Sequence, residues 1–271
     1  MNLFCGCTKE KALEEALRES YYNYLEGYKK GKKGSRSTAK LLTLHKFIAE
    51  NVKEILENNL KAKFEVFYIN GKEVNINGAF YTKRVDVFIG QIGNFEVLKD
   101  SAKKIHISIK NPENLFVFSI KFITSNYKQN ANNYFESLIG ETVNLKSLGI
   151  KFGYLLFLKH PMPYLDKVGV IKKFEEISED DILKYYKLFQ KRKEIFSPDF
   201  IFLGVYKISA LMNRGTLEKE GANIKQIAEK FDRITVFRYI PKNIKTVILF
   251  LFYPNLFADF YGKSSNLKIP V

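Results

Sequence analysis

The stretch VFSIKFITSNYKQNANNYFESLIGET, residues 117–142, decides how the rest of the chain is interpreted. Its first part alternates apolar and polar or smaller side chains, a pattern typical of a β-strand. Ser119 and Lys121 therefore share one face near the end of the strand, where the chain turns into a helix. We expect this helix to occupy about residues 126–139 and to end at Gly140.

The predicted helix has two different faces. Its apolar residues fall on one side and should pack on the core: Tyr127, Ala131, Phe135 and Leu138. Another side carries hydroxyl and amide groups with one carboxylate: Ser125, Gln129, Asn132, Asn133 and Glu136. A solvated helix usually carries Lys and Glu instead, so this stripe indicates the wall of a polar cleft. Glu141 follows the predicted end of the helix and is expected to point elsewhere.

Helices and a meander of strands are predicted before this stretch. Two amphipathic helices flank a glycine-rich basic loop at residues 29–36, which is either a solvated loop or a contact for phosphates. Residues 63–122 show the pattern of antiparallel strands, with Asn70-Gly71 as a two-residue hairpin turn.

After the stretch, the pattern predicts a buried strand at 149–160, a helix capped by Ser178, and further strands up to 246–253. This order favours an α/β or α+β fold, in which helices flank a central mixed sheet. We treat residues 1–271 as a single domain.

The chain is strongly basic, with a net charge of +15 and an isoelectric point near 9.5. Such a charge is typical of proteins that bind a polyanion. However, only 7 of the 44 basic residues are arginine, and the lysine-heavy composition of an AT-rich genome explains the charge equally well. The charge therefore supports a nucleic-acid partner but does not establish one.

Several classes of protein are disfavoured by the composition. No apolar run approaches the roughly 20 residues that span a bilayer, and the N-terminal segment is a poor signal peptide. Cys5 and Cys7 form neither a disulfide framework nor a four-ligand zinc site. Three histidines also argue against a histidine-rich metal centre. We expect a cytoplasmic protein without a membrane partner.

Asp86 is the acidic residue that completes a candidate catalytic set. It lies within the apolar segment RVDVFIG, where an aspartate is unfavourable unless it has a partner. With Glu136 it could hold Mg²⁺, while Lys121 orients a water molecule for phosphodiester hydrolysis. The alternative is structural: Lys121 extends to solvent from a strand end, Asp86 pairs with Lys83 or Arg84, and Glu136 faces solvent.

The same residues resemble the PD-(D/E)xK nuclease superfamily, in particular its type II restriction endonucleases. Asp86 matches the aspartate of that motif, and Ser119-Ile120-Lys121 matches the tripeptide of the branch that reads SxK. In that branch the acid has moved to the following helix, where Glu136 matches it. The resemblance covers about residues 40–160.

The match has two departures from the family pattern. Val85 stands where many family members have proline, and a second Ser-Ile-Lys occurs at 108–110. Lys121 is preferred over Lys110 because only its copy is followed by a helix with a matching carboxylate.

The resemblance implies a restriction-endonuclease-like fold and a Mg²⁺-dependent, sequence-specific endonuclease that cuts double-stranded DNA as a homodimer. Asp86 and Glu136 would bind the metal with the carbonyl of Ile120, and Glu50 is a further candidate ligand. Lys121 would assist the attacking water, and Ser119 marks the vacated acid position. Residues 161–271 would complete the fold and contribute DNA recognition or dimerisation.

DNA contacts are expected from basic and amide side chains beside the cleft: Lys83, Arg84, Lys128, Gln129, Asn130, Asn133 and Arg214. Two other functions remain open. One is a repair or recombination nuclease of the same fold that selects DNA structure, and the other is a non-catalytic nucleic-acid-binding protein.

Overall fold

The computed structural model describes residues 7–31, 38–70, 73–99, 104–191, 194–213 and 215–239. Four sequence-based predictions fall outside these residues: the glycine of the Asn70-Gly71 turn, most of the basic loop, the strand at 246–253, and Arg214.

Five α-helices and a short 3-10 helix are present in the described part of the chain. The helices are α1 (Cys7–Lys29), α2 (Leu42–Leu60, preceded by the 3-10 helix Thr38–Leu41), α3 (Tyr127–Lys146), α4 (Glu179–Gln190) and α5 (Ile224–Lys230). The strands are β1 (Phe64–Tyr68), β2 (Val74–Asn77), β3 (Thr82–Val85), β4 (Val87–Gln91), β5 (Phe95–Lys99), β6 (Ile105–Ile109), β7 (Leu115–Ile123), β8 (Lys151–His160), β9 (Met162–Leu165), β10 (Ile171–Glu175), β11 (Phe200–Met212), β12 (Gly215–Thr216) and β13 (Arg233–Arg238).

The largest sheet has seven strands and is mixed. Its order is β1-β4-β7-β8-β11, and both β12 and β13 pair with β11. The strands β1, β4 and β7 are antiparallel neighbours, whereas β7, β8 and β11 are parallel. The chain passes from β7 to β8 through α3, because parallel neighbours need a crossover connection. The predicted fold class, a mixed sheet flanked by helices, is confirmed.

The central strand β7 separates two apolar cores. Phe116, Phe118 and Ile120 pack with residues of α1 and α2. Leu115 and Val117 pack with residues of α3 and α4 on the other side. Since side chains alternate along a strand, Ser119 and Lys121 lie on the side of α3.

A second sheet, with the order β3-β2-β6-β5, corrects part of the predicted meander. The hairpin predicted at Asn70-Gly71 is wrong, because β1 pairs with β4 while β2 pairs with β3 and β6. The segment predicted as one strand around Asp86 is also two strands. The chain leaves the second sheet at Val85 and enters the large sheet at Val87.

Helix α3 is longer than predicted. It passes through Gly140 and ends at Lys146. The reason is tertiary packing, since the residues that follow the glycine are buried on the same face as Leu138: Glu141, Thr142 and Leu145. By contrast, the predicted cap of α4 is confirmed, because Ser178 and Asp181 form a reciprocal capping box.

No helix in the described ranges is both long and apolar enough to cross a membrane.

Candidate active site

Asp86 is the single residue between β3 and β4, at the point where the chain passes from the second sheet to the large sheet. Pairing of β4 with β7 begins at Val87, which lies opposite Phe118. The residues of β7 that follow Phe118 are therefore not paired with residues of β4. The Asp86 carboxylate takes that place: the backbone N–H of Ile120 donates to its Oδ2 at 2.8 Å. The Ser119 hydroxyl donates to the same oxygen at a longer 3.4 Å.

Lys121 completes this cluster. Its Nζ lies 4.0 Å from Asp86 Oδ2, and 27% of the Lys121 side chain and 19% of the Asp86 side chain are exposed. The pair is therefore close enough for an ionic interaction and open to solvent on one side. Asp86 does not pair with Lys83 or Arg84 as the structural alternative proposed. Those cations bind Glu141 at 2.5 Å and Glu73 at 3.2 Å instead.

The second Ser-Ile-Lys copy lies elsewhere. Ser108 and Lys110 belong to β6 and the turn that follows it, in the second sheet. Lys110 pairs with Glu96 at 2.5 Å. Of the two sequence candidates, Lys121 is the lysine that the fold brings to Asp86.

Two tyrosines border the pair on the α3 side of the sheet. Tyr154 on β8 is in register with Ser119 and is fully buried. Burial raises the pKa of Tyr154 well above its usual range, and the nearby charges of Glu141 and Asp86 act in the same direction. Burial also raises the pKa of Tyr134 on α3, while the charge of Lys121 opposes this rise. Both phenols therefore remain protonated and neutral beside the site.

His45 on α2 is a neighbour that the sequence analysis missed. It is fully buried, and in the described structure neither ring nitrogen has a hydrogen-bond partner. Burial lowers the pKa of His45, the charge of Asp86 opposes this change, and the charge of Lys121 reinforces it. The available signal was a histidine among the apolar positions of α2, next to Leu44 and three residues before Ile48.

The predicted second acid lies on the exposed side of its helix. Glu136 is exposed on α3, and it lies about 200° around the helix from both Tyr134 and Leu138, which face the sheet. The buried acid of α3 is Glu141, whose Oε1 binds Lys83 and whose Oε2 has no hydrogen-bond partner among the described residues.

Glu50, the other candidate ligand, pairs with a lysine of its own helix. Its carboxylate is exposed and lies 3.8 Å from Lys46 on the same helix. Within the described ranges, no group of three or more His, Cys, Asp and Glu side chains is arranged to hold a metal ion.

The predicted DNA-binding residues on α3 lie at its N-terminal end. Lys128, Gln129 and Asn133 are exposed, whereas Asn130 is half-buried and donates to the Asn126 carbonyl at 3.0 Å. Glu175 accepts the backbone N–H of Lys128 at 3.3 Å. A carboxylate therefore already occupies part of the helix N-terminus, and DNA contacts there would come from side chains.

No protein-family model matches this chain, and no curated protein matches it.

Proposed function

We propose that this protein is a Mg²⁺-dependent, sequence-specific endonuclease of the type II restriction class that hydrolyses phosphodiester bonds of double-stranded DNA. The observation that carries the proposal is the contact of Lys121 with Asp86 at the point where β4 separates from β7. The resemblance requires the strand end at Asp86 to lie beside the strand that carries Ser119 and Lys121, and Asp86 and Ser119 are 33 positions apart in the sequence.

The strand order supports the same proposal. A helix precedes the antiparallel strands β1, β4 and β7, and α3 then leads to β8, parallel to β7. This is the arrangement implied by the resemblance to PD-(D/E)xK nucleases. The second sheet is inserted between these elements and leaves their order unchanged.

The donor atoms at the site suit Mg²⁺, which prefers oxygen ligands and keeps several waters. Asp86 offers a partly exposed carboxylate. The Ile120 N–H points to Asp86, and the carbonyl of a strand residue points to the same side as its N–H. Asp86 and the Ile120 carbonyl would thus hold the ion. When bound, the ion would polarise the phosphate and lower the pKa of a coordinated water.

The protein side chains have separate roles in this proposal. Lys121 orients the attacking water or stabilises charge on the phosphate, since its ammonium group is held beside the carboxylate but remains partly exposed. Ser119 is buried and neutral, so Asp86 carries the negative charge of the cluster. Glu136 stays the sequence-based prediction for a second acid, and its exposed position on α3 makes that role directly testable.

The remaining features of the proposal concern DNA. The charge of +15 favours association with a polyanion. A homodimer would present two symmetric sites and cut both strands of a palindrome. Such an enzyme would act in the cytoplasm.

The test is incubation of the purified protein with phage or plasmid DNA, with Mg²⁺ and with EDTA. Lys121→Ala is the inactivating variant, and Lys110→Ala is the matched control because it alters the other Ser-Ile-Lys copy. We expect discrete fragments that require metal, disappear with Lys121→Ala and persist with Lys110→Ala. A smear would favour a structure-selective or non-specific nuclease. Intact but retarded DNA under every condition would favour a binding protein.

A further inference from the structure

The hairpin between β2 and β3 exposes two adjacent aromatic side chains. Its connecting residues, 78–81, are called the aromatic tip here. Phe80 is 72% exposed and Tyr81 is 46% exposed. Single exposed apolar side chains are common on protein surfaces, but two in succession at the end of a hairpin form a small apolar projection.

The aromatic tip is held rigidly by Asn144 of α3, which is itself fully buried. The Asn144 Oδ1 accepts the backbone N–H groups of Phe80 at 2.9 Å and Tyr81 at 3.1 Å. Its Nδ2 donates to the Tyr81 carbonyl at 3.1 Å. The Asn144 carbonyl also accepts the Ala79 N–H at 2.9 Å. Both the oxygen and the nitrogen of this buried amide side chain therefore hold the backbone of the aromatic tip.

Gly78 allows this close approach. A Cβ at that position would lie 2.1 Å from Asn144 Nδ2, so no larger residue fits without displacing the asparagine. The two aromatic rings are thus presented on a backbone that is ordered before any partner arrives. A preformed contact surface loses less conformational entropy on binding than a flexible loop does.

The hairpin itself brings no acidic side chain to the aromatic tip. Residues 74–85 contain Lys83 and Arg84 and no acidic residue. Lys83 neutralises the buried Glu141 at 2.5 Å. Arg84, whose side chain is 52% exposed, lies 3.2 Å from Glu73 at the far end of the hairpin from the tip. The region around the two rings is therefore free of uncompensated negative charge from the hairpin itself.

The hairpin connects directly to the candidate active site, because β3 leads from the tip to Asp86. Tyr81 and Asp86 are five positions apart in the sequence, which is about 17 Å at roughly 3.3 Å per strand residue. That length corresponds to about five base-pair steps of duplex DNA at 3.4 Å each.

We propose that Phe80 and Tyr81 form a rigid aromatic wedge that stacks on the bases of duplex DNA bound at the Asp86–Lys121 site, about five base pairs from the cleaved phosphate. This inference rests on the proposed nuclease function and adds a contact to it. Aromatic side chains that enter a base step unstack it and bend the duplex. The wedge would therefore favour sites with easily unstacked steps.

The test uses tryptophan as a reporter, because the chain contains none. Phe80→Trp places a single indole at the tip, and Phe237→Trp places one at a control site on β13 that is 58% exposed. Each variant is titrated with phage DNA fragments in EDTA, which prevents cleavage. We expect DNA to quench the fluorescence at position 80 and to shield it from acrylamide, with little change at position 237.

A second measurement compares affinities. We expect the double variant Phe80→Ala, Tyr81→Ala to bind duplex DNA at least about tenfold more weakly than the wild type, because it loses the stacking of its aromatic rings on the bases. The dependence of affinity on salt should keep its slope, since no phosphate-binding charge is lost. Phe237→Ala should bind like the wild type.

The outcomes separate this inference from the proposed function. If the wild type cleaves or retards DNA but the indole at position 80 does not respond, the wedge is excluded and the nuclease proposal stands. If the indole responds to protein concentration without DNA, the tip is a contact between copies of the chain and the wedge is again excluded. If the wild type neither cleaves nor retards DNA, the proposed function fails, and the wedge fails with it.

Discussion

At the scale of single residues, Asp86 is both a structural acceptor and the candidate metal ligand, and substitutions can separate these two roles. Asp86→Asn keeps an oxygen for the Ile120 N–H but removes the charge. We expect it to lower the cleavage rate by at least about a hundredfold, the loss typical of a key electrostatic group, with nearly unchanged stability. Asp86→Ala should lose activity and also about 1 kcal/mol of the free energy of unfolding.

Cleavage rates and urea unfolding of both variants check this prediction. Wild-type activity in a folded Asp86→Asn protein would remove Asp86 from the mechanism.

Lys40, in the 3-10 helix that precedes α2, should make stability depend on pH. Burial lowers the pKa of Lys40 from its ordinary value of 10.5 to about 8. Between these values the unfolded chain binds more protons than the folded one, so this residue makes the free energy of unfolding rise with pH. Below pH 8 the folded protein holds this ammonium group in a buried position, 5.2 Å from the centre of the Tyr24 ring.

Lys40→Met should therefore stabilise the protein at pH 7 by about 1–3 kcal/mol and flatten the rise between pH 8 and pH 10. Lys46→Met, which alters a lysine with a 57% exposed side chain on α2, is the control and should change neither. Urea unfolding across this pH range measures both effects, and parallel curves for the wild type and Lys40→Met would contradict the prediction.

Single residues also show what the sequence could and could not reveal about the site. Asp86 was identifiable because a charge inside an apolar strand needs a partner, and the fold supplies Ile120 and Lys121. His45 was marked only by its place among the apolar positions of α2, and Tyr154 by nothing, because residue type alone does not tell a buried polar group near a charge from an ordinary core residue. Their neighbours come from strands and helices distant in sequence.

At the scale of secondary-structure elements, two glycines have opposite consequences. Gly78 contacts Asn144 so closely that a Cβ would overlap it, whereas a Cβ at Gly140 of α3 would meet no atom within 4 Å. We expect Gly78→Ala to cost about 1–3 kcal/mol, as overpacking usually does. Gly140→Ala should stabilise the protein by up to about 1 kcal/mol, because alanine is the better helix former.

Urea unfolding of the two variants is the measurement. A destabilising Gly140→Ala would mean that α3 ends at this glycine, as its sequence first suggested.

The two acids of α3 offer a second matched pair. Glu136 lies on the face turned away from the sheet, and Glu141 is buried with Lys83. From this placement we expect Glu136→Gln to keep the cleavage rate within about threefold of the wild-type rate. Removal of a key electrostatic group typically lowers the rate by about a hundredfold or more. Glu141→Gln should lower the free energy of unfolding by about 1–2 kcal/mol.

Cleavage and unfolding assays on both variants decide the question. A loss of activity with Glu136→Gln as large as with Asp86→Asn would establish Glu136 as the second acid.

The limits of prediction at this scale have a physical cause. The strand and helix character of residues 117–142 follows from local alternation and periodicity. The partner of each strand does not, because β1 and β2 are neighbours in sequence but pair in different sheets. The end of α3 was also mispredicted, since burial of Glu141 and Leu145 outweighs the intrinsic preference of Gly140.

At the scale of the whole molecule, the order of elements was predictable and the second sheet was not. The succession of helices, antiparallel strands, helix and strand already indicated a mixed sheet with helices on its faces. The sheet formed by β3, β2, β6 and β5 depends on the parallel pairing of β2 with β6. Nearly thirty residues separate those strands, so no local pattern records that pairing.

A buried ionic network joins α1 to the large sheet across this architecture. Lys159 on β8 donates to Glu218 at 2.7 Å and to the Pro161 carbonyl at 2.9 Å, and both ionic side chains are at most 2% exposed. Glu218 also accepts the Tyr21 hydroxyl of α1 at 2.6 Å and the Ala210 N–H at 3.2 Å. Every charge in the network is therefore hydrogen-bonded, which is the condition for burying charges without a large penalty.

Removing one of the two charged side chains should lower the free energy of unfolding far more than removing both. We expect Lys159→Met and Glu218→Gln each to cost about 3–5 kcal/mol, because each leaves a buried polar group without its partner. The double variant should be more stable than the sum of these losses predicts, since neither charge of this pair is left buried. Urea unfolding of the four proteins gives the coupling energy directly. Strict additivity would show that the two side chains act independently and that the buried ion pair is not coupled.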